Sequence, residues 1–319
     1  MTEPAQPIPH WPGEMVSLGS HEVFVRGAPA GQDTEPALFV HGLEGSSRNW
    51  TDLMDLLSPR LACDALDLPG FGDSPPRPDG RYSIAALAET VIALIQKRSR
   101  PVHLVGNSLG GAVSVKVAAT RPDLVRTLTL ISPALPDLRP RLDLVRFPVV
   151  GLPRLGPRLI RQYQAALPPE RRVAAVIATC YSNPGLYPQA RFAAEVAELS
   201  RRDSLEYAAA ALMGSARALT AEFLHKGRHS PWRDVTRVTA PSLVIYGQHD
   251  RLVDPRAAGR AAHSFPDARI VVLPRTGHVA HMEHPDAVAA EMAILLGIPG
   301  AFRRLSQERA GEASTQSVR

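Results

Sequence analysis

Ser108 lies in the run Gly106-Asn107-Ser108-Leu109-Gly110, with a glycine two residues to either side. A serine hydroxyl is a weak nucleophile until it is held clear of its own backbone and beside a general base. The G-x-S-x-G spacing meets the first condition. A sharp strand-to-helix turn brings the two backbones so close that only minimal side chains fit at the flanking positions. Such a turn lifts the hydroxyl above the edge of a sheet. It also places the hydroxyl at a helix N-terminus, where free N–H groups face a developing negative charge. Acyl transfer is the chemistry this serine would serve. The same spacing also occurs in ordinary loops, so the flanking elements decide.

Those elements are of the required kind. Val102 to Val105 is an apolar, β-branched run suited to a buried parallel strand, and Val113 to Thr120 reads as a helix. Before them, Glu14 to Val16 and His21 to Arg26 form an entry hairpin, and Ala37 to Val40 is a buried strand leading into His41-Gly42-Leu43-Glu44-Gly45. An amphipathic helix over Trp50 to Leu57 and a strand over Leu61 to Leu66 follow, then the loop Asp67 to Ser74 and a helix over Ile84 to Lys97. Val125 to Ile131, Pro241 to Tyr246 and Arg269 to Leu273 complete the strands, and Pro285 to Leu296 is the last helix. Two of these strands end in chemistry-bearing loops, Gly247-Gln248-His249-Asp250 and Gly277-His278. The alternation predicts an α/β fold with a mostly parallel central sheet and helices on both faces.

Composition bounds the rest. The 319 residues, 45% hydrophobic and 21% charged, are enough for one large domain with an insertion, and 30 prolines must fall in turns and loops. Two distant cysteines give neither a disulfide framework nor a metal spacing. The first residues lack a basic start and an apolar core, and no run reaches the ~18 apolar residues of a spanning helix, so a cytoplasmic protein is expected. The net charge of +5 is concentrated in Arg139 to Arg161, which holds six arginines against Asp143. That clustering, without a reader motif, argues against nucleic acid as a partner. No H-x-H or H-E-x-x-H spacing suggests a metal, and nothing suggests a nucleotide or flavin, so no cofactor is expected.

Together, His41-Gly42, the DLPGFGDS run at Asp67 to Ser74, GNSLGG at Gly106 to Gly111, GQHD at Gly247 to Asp250 and Gly277-His278 resemble the α/β-hydrolase superfamily over about Leu38 to Leu296. The resemblance implies a catalytic triad in which His278 takes the proton from Ser108 and Asp250 orients the imidazole. It also implies an oxyanion hole formed by the backbone N–H groups of Leu43 and Leu109. Asp137 is a rival acid, and Asp250 might instead cap the helix that follows. His41 is expected to brace its loop. With Gly42 and Asn107 it is also a candidate for contact with substrate.

The domain division expected is a core of residues 1–132 and 234–300, a helical cap over 133–233 and a disordered tail over 301–319. Helices within the cap are expected at Arg171 to Cys180, Ala190 to Arg201 and Leu205 to Leu224. The Arg139 to Arg161 segment interleaves arginine with Leu, Val, Phe and Ile. It could meet a lipid-like or anionic acyl substrate or a membrane surface, or simply cover the core with arginine stems. The function expected is a cofactor-free serine esterase of the lipase-like kind, acting on a small-molecule ester or acyl substrate. One alternative is a carbon-carbon bond hydrolase of dienoic keto acids, whose enzymes also tend to carry Asn before the serine. However, Gly42-Leu43-Glu44-Gly45 departs from the form usual in them. The other alternative is a low-turnover ligand-binding receptor.

Overall fold

The computed structural model describes residues 8–31, 33–136, 162, 166–225, 227 and 230–298. Eight strands form one sheet in the order β1-β2-β4-β3-β5-β6-β7-β8. They are β1 (Gly13–Ser17), β2 (Glu22–Gly27), β3 (Glu35–Val40), β4 (Leu61–Leu66), β5 (Val102–Asn107), β6 (Val125–Ile131), β7 (Ser242–Gly247) and β8 (Ala268–Leu273). β1 and β2 form an antiparallel hairpin, β2 runs antiparallel to β4, and every later pairing is parallel.

The sheet is covered on both faces, and its strands show why. Along β3, Leu38 and Val40 enter one core with Leu104, Leu130 and Val244. Ala37 and Phe39 enter the opposite core with Val105, Ile131 and Ile245. Neighbouring side chains on a strand point to opposite faces, so a doubly covered strand must be apolar throughout. All six residues of β5 and of β7 are accordingly buried. The first face carries α2 (Ile84–Arg98), α3 (Leu109–Thr120) and a later helix, Ala257–Ser264; the second carries α1 (Thr51–Leu57) and the last helix, Pro285–Leu295. Ser83 caps α2 by accepting from the Ala86 N–H, and Lys97 and Arg98 sit in its last turn, where positive charge is favoured.

Between β6 and β7 the described residues are helical: α4 (Pro169–Cys180), α5 (Gln189–Asp203), α6 (Ala208–Leu224) and α7 (Pro231–Val235). The helices after β7 are α8 (Ala257–Ser264), α9 (Ala280–Glu283) and α10 (Pro285–Leu295). Arginines bind α5 to the core. Arg191 takes Asp52 with both guanidinium nitrogens, one at 2.7 Å, and bonds the Ile8 carbonyl; Arg202 reaches the Glu44 carbonyl at 2.7 Å and Arg201 that of Gly72 at 2.8 Å. Asp137, the Arg139 to Arg161 segment and residues 301–319 lie outside the described residues. Among the described residues no helix is long and apolar enough to cross a membrane.

Several boundaries differ from the sequence reading. α3 begins at Leu109, directly on the serine turn, and not at Val113. α1 is preceded by a 3-10 turn over Ser47–Trp50, and α6 starts at Ala208 after a turn at Leu205. α8 and the single turn α9 are additional to the helices expected from the sequence.

Candidate active site

The parallel register brings the chemistry-bearing loops to one edge. Val40 pairs with Gly106, Asn107 with Ile131, Ile131 with Ile245, and Gly247 with Leu273. The loops that leave these strand ends carry Leu43, Ser108, Asp250 and His278. In open parallel sheets, this carboxyl edge is where ligands bind.

Ser108 has φ 52° and ψ −115°, a region that side chains other than glycine rarely occupy. Such strain costs on the order of 1–3 kcal/mol and persists only where its surroundings enforce it. Here the Ser108 N–H donates to the Ile131 carbonyl at 3.1 Å, and the Ser108 carbonyl accepts from Ala112 at 3.1 Å and Ala134 at 2.9 Å. Backbone crowding explains the glycines: a Cβ on Gly106 would lie 2.5 Å from the Gly110 carbonyl oxygen, and one on Gly110 would lie 2.1 Å from that of Val40. Leu109 is the first residue of α3, so its N–H has no acceptor within the helix. Opposite, Gly42 to Gly45 is a turn closed by a 3.1 Å bond, with Glu44 at φ 61°. Leu43 occupies its first corner.

His278 and Asp250 meet through Nδ1 and Oδ2 at 2.9 Å, with exposures of 4% and 0%. The other carboxylate oxygen, Oδ1, accepts from the N–H groups of Leu252 at 2.8 Å and Val253 at 2.9 Å. Burial acts to raise the pKa of Asp250. The charge and hydrogen bond of His278, helped by the Val253 N–H and the Ser132 hydroxyl, outweigh it and hold the carboxyl below its ordinary value. An ionised carboxylate only accepts, so the proton of neutral His278 sits on Nδ1 and Nε2 is free to take another. Asp250 therefore both turns its own loop and holds His278.

The two polar residues expected near substrate are engaged by backbone groups instead. His41 is fully buried; its Nδ1 donates to the Gly42 carbonyl at 2.7 Å and its Nε2 accepts from the Leu68 N–H at 3.0 Å. Burial lowers its pKa, consistent with a neutral ring that braces two loops. Asn107, 4% exposed, donates from Nδ2 to the carbonyls of Ile131 at 3.0 Å and His278 at 3.2 Å. Gly42 packs beside the elbow, where a Cβ would meet Asn107 Oδ1 at 2.9 Å. Of the other histidines near this edge, His249 is exposed, and His281 is buried with its ring stacked on Trp50 at 4.1 Å. Among the described residues, no group of three His, Cys, Asp or Glu side chains could hold a metal ion.

Sequence reasoning missed Ser132, which stands beside Asp250, and Glu283, a buried carboxylate under the His278 loop. The signal for Glu283 was an acidic residue five positions past His278, between Met282 and His284.

A mostly parallel sheet with a serine elbow at one strand end, an aspartate two strands away and the histidine it holds three strands away defines an α/β-hydrolase arrangement. The chain belongs to the alpha/beta hydrolase family, whose model matches residues 37–291. It is 28% identical over 272 residues to the dihydrolipoyllysine-residue acetyltransferase component of the acetoin cleaving system of Pseudomonas putida, a match covering 83% of this chain and 64% of that protein. It is 29% identical over 280 residues to the 2-(acetamidomethylene)succinate hydrolase of Mesorhizobium japonicum, covering 87% and 92% of the two chains. It is 24% identical over 253 residues to the pimeloyl-[acyl-carrier protein] methyl ester esterase of Aeromonas hydrophila, covering 78% and 90%.

Proposed function

We propose that this chain is a cofactor-free serine hydrolase of carboxylic esters working through an acyl-enzyme on Ser108. The observation that carries the reading is the buried His278–Asp250 pair on loops that leave the sheet at the same edge as the strained serine. In this proposal the Ser108 oxygen attacks the ester carbonyl carbon as His278 Nε2 takes its proton. The carbonyl oxygen becomes an oxyanion held by the N–H groups of Leu43 and Leu109. Collapse breaks the bond to the leaving alkoxide, which receives the proton from the imidazolium. Water, deprotonated by the same nitrogen, then releases the acid and restores Ser108.

The helical insertion would act as a cap over this edge and set the acyl preference. Relatives whose names include a methyl ester esterase and a hydrolase are in keeping with bond hydrolysis. Asn107 lends no support to carbon-carbon bond cleavage, because its amide donors are held by main-chain carbonyls. Free Cys63 and Cys180 suit the cytoplasm.

Turnover of p-nitrophenyl esters of graded chain length tests the proposal. Ser108→Ala should lose roughly 10⁵ to 10⁶ in kcat and all labelling by a fluorophosphonate. Undiminished hydrolysis by that variant would refute it. A wild-type chain with no hydrolysis at all would favour the receptor reading.

A further inference from the structure

Glu283, 7% exposed, sits beneath the loop that carries His278, and its two oxygens face two different parts of the molecule. Oε2 accepts from the Gly277 N–H at 2.6 Å. Oε1 accepts from the Asn183 N–H at 3.0 Å and from the Ser182 hydroxyl, while the Ser182 N–H is shared between the two oxygens at 3.0 and 3.2 Å. Ser182 and Asn183 form the corner after α4, within the helical insertion. One carboxylate thus spans the insertion and the histidine loop.

Four further contacts run alongside it. The His278 N–H donates to the carbonyl of Cys180, the last residue of α4, at 2.7 Å. The Ser182 hydroxyl also reaches the Arg275 carbonyl at 2.6 Å. Gly277 is pressed so close that a Cβ there would lie 2.3 Å from the Cys180 oxygen. Val279, next to His278, shares a small apolar core with Tyr181 and Tyr187 of the insertion. The His278 N–H is therefore held by the insertion and its carbonyl by Asn107 of the elbow. With both peptide groups fixed, the direction of the His278 Cα–Cβ bond is set, and Asp250 fixes the ring at its far end.

We propose that Glu283 is a positioning residue through which the α4–α5 corner of the insertion sets the place of the His278 imidazole. The proposal rests on His278 being the base of the hydrolase reading above. It makes the insertion part of the base's support as well as a roof. Glutamine at this position keeps one acceptor oxygen and gains an amide donor. Whichever way the amide turns, an N–H group meets either Gly277 or the Ser182–Asn183 corner, so one side of the span is lost.

The test uses the full chain carrying Glu283→Gln, Ser182→Ala or both. It measures kcat and KM on p-nitrophenyl acetate, the rate of fluorophosphonate labelling, the low-field proton resonance of His278 Nδ1–H and the melting temperature. Misplacing a base by about 1 Å costs about 10²-fold. For E283Q, kcat and labelling should accordingly fall about 10- to 100-fold with KM within about threefold, and the resonance should shift or broaden. S182A should lose about three- to tenfold, and the double variant should be no worse than E283Q, because the bonds form one network. Should E283Q fail to fold, S182A carries the same readouts. Wild-type kcat in these variants overturns the proposal, as does a loss that only follows the fraction folded while the resonance stays in place. If the wild type neither hydrolyses nor labels, the hydrolase reading falls and the resonance alone decides, an unshifted signal again counting against Glu283.

Discussion

Asp250→Asn would keep the shape of the site and reverse its hydrogen-bond logic. The carboxylate that now accepts from His278 Nδ1 would become an amide whose NH2 group can donate to that nitrogen, moving the imidazole proton to Nε2 where it cannot act as a base. We expect a fall in kcat on the order of 10⁴, read by steady-state turnover, with Ser108 still present to react slowly with a fluorophosphonate. Ser108, Asp250 and His278 were all legible in the sequence, since each sits in a short motif at the end of an apolar run. Asn107 and His41 were legible as residues but not as partners. Their bonds go to main-chain groups of Ile131, His278, Gly42 and Leu68, brought near only by the register of the sheet. Glu283 was illegible for the same reason: apart from the Gly277 N–H, its donors lie in a corner about 100 residues earlier in the chain. Cys180 also gained meaning only in three dimensions. Burial raises its thiol to about 12, so it should resist alkylation by iodoacetamide at pH 8 in the folded protein and react on unfolding.

At the scale of elements, the elbow is where sequence and packing agree most closely. Gly110→Ala would drive a methyl group to 2.1 Å from the Val40 carbonyl oxygen, and the obstacle is backbone that cannot rotate away. We expect a loss of about 2–3 kcal/mol in chemical denaturation and a larger proportional loss of activity, because relief requires α3 to move away from β3 and carry Ser108 with it. All eight strands were visible as apolar or alternating runs, the central ones most plainly, since a strand covered on both faces leaves little room for polar residues. Helix ends were less visible. α3 starts four residues earlier than its apolar run suggested, because the tight turn feeds the helix directly and two glycines in its first turn weaken the helical signal there. α8 escaped notice because it is only eight residues long and its apolar positions are alanines, with Gly259 among them.

Over the whole molecule, buried histidines should govern acid stability. Burial holds His281 at about 3, and burial with nearby arginines holds His10 at about 4, while His21, His41 and His103 are also lowered. An unfolded histidine titrates near 6.5, so below that pH the unfolded chain binds more protons and stability falls as pH drops toward about 3. Above about 6.5 this contribution is complete. Asp250, lowered, acts in the same direction below its ordinary range, whereas Asp64 and Glu195, raised by burial, partly offset it. Each neutral buried histidine makes the slope steeper by up to about 1.4 kcal/mol per pH unit. His281→Phe should keep the stack on Trp50 and remove a buried ring nitrogen, so its melting temperature should gain on the wild type as pH falls from 7 to 5.

The arginines of α5 carry a last consequence. An insertion resting on a sheet by apolar contact alone could melt before it. Here Arg191, Arg201 and Arg202 grip Asp52, Gly72 and Glu44 on one flank of the site, and Glu283 grips Ser182 and Asn183 on the other. Opening the arginine flank breaks several of these bonds together, and opening the other leaves the buried Glu283 carboxylate without most of its donors. Calorimetry should therefore record a single cooperative transition for insertion and sheet together, with the van't Hoff and calorimetric enthalpies in agreement.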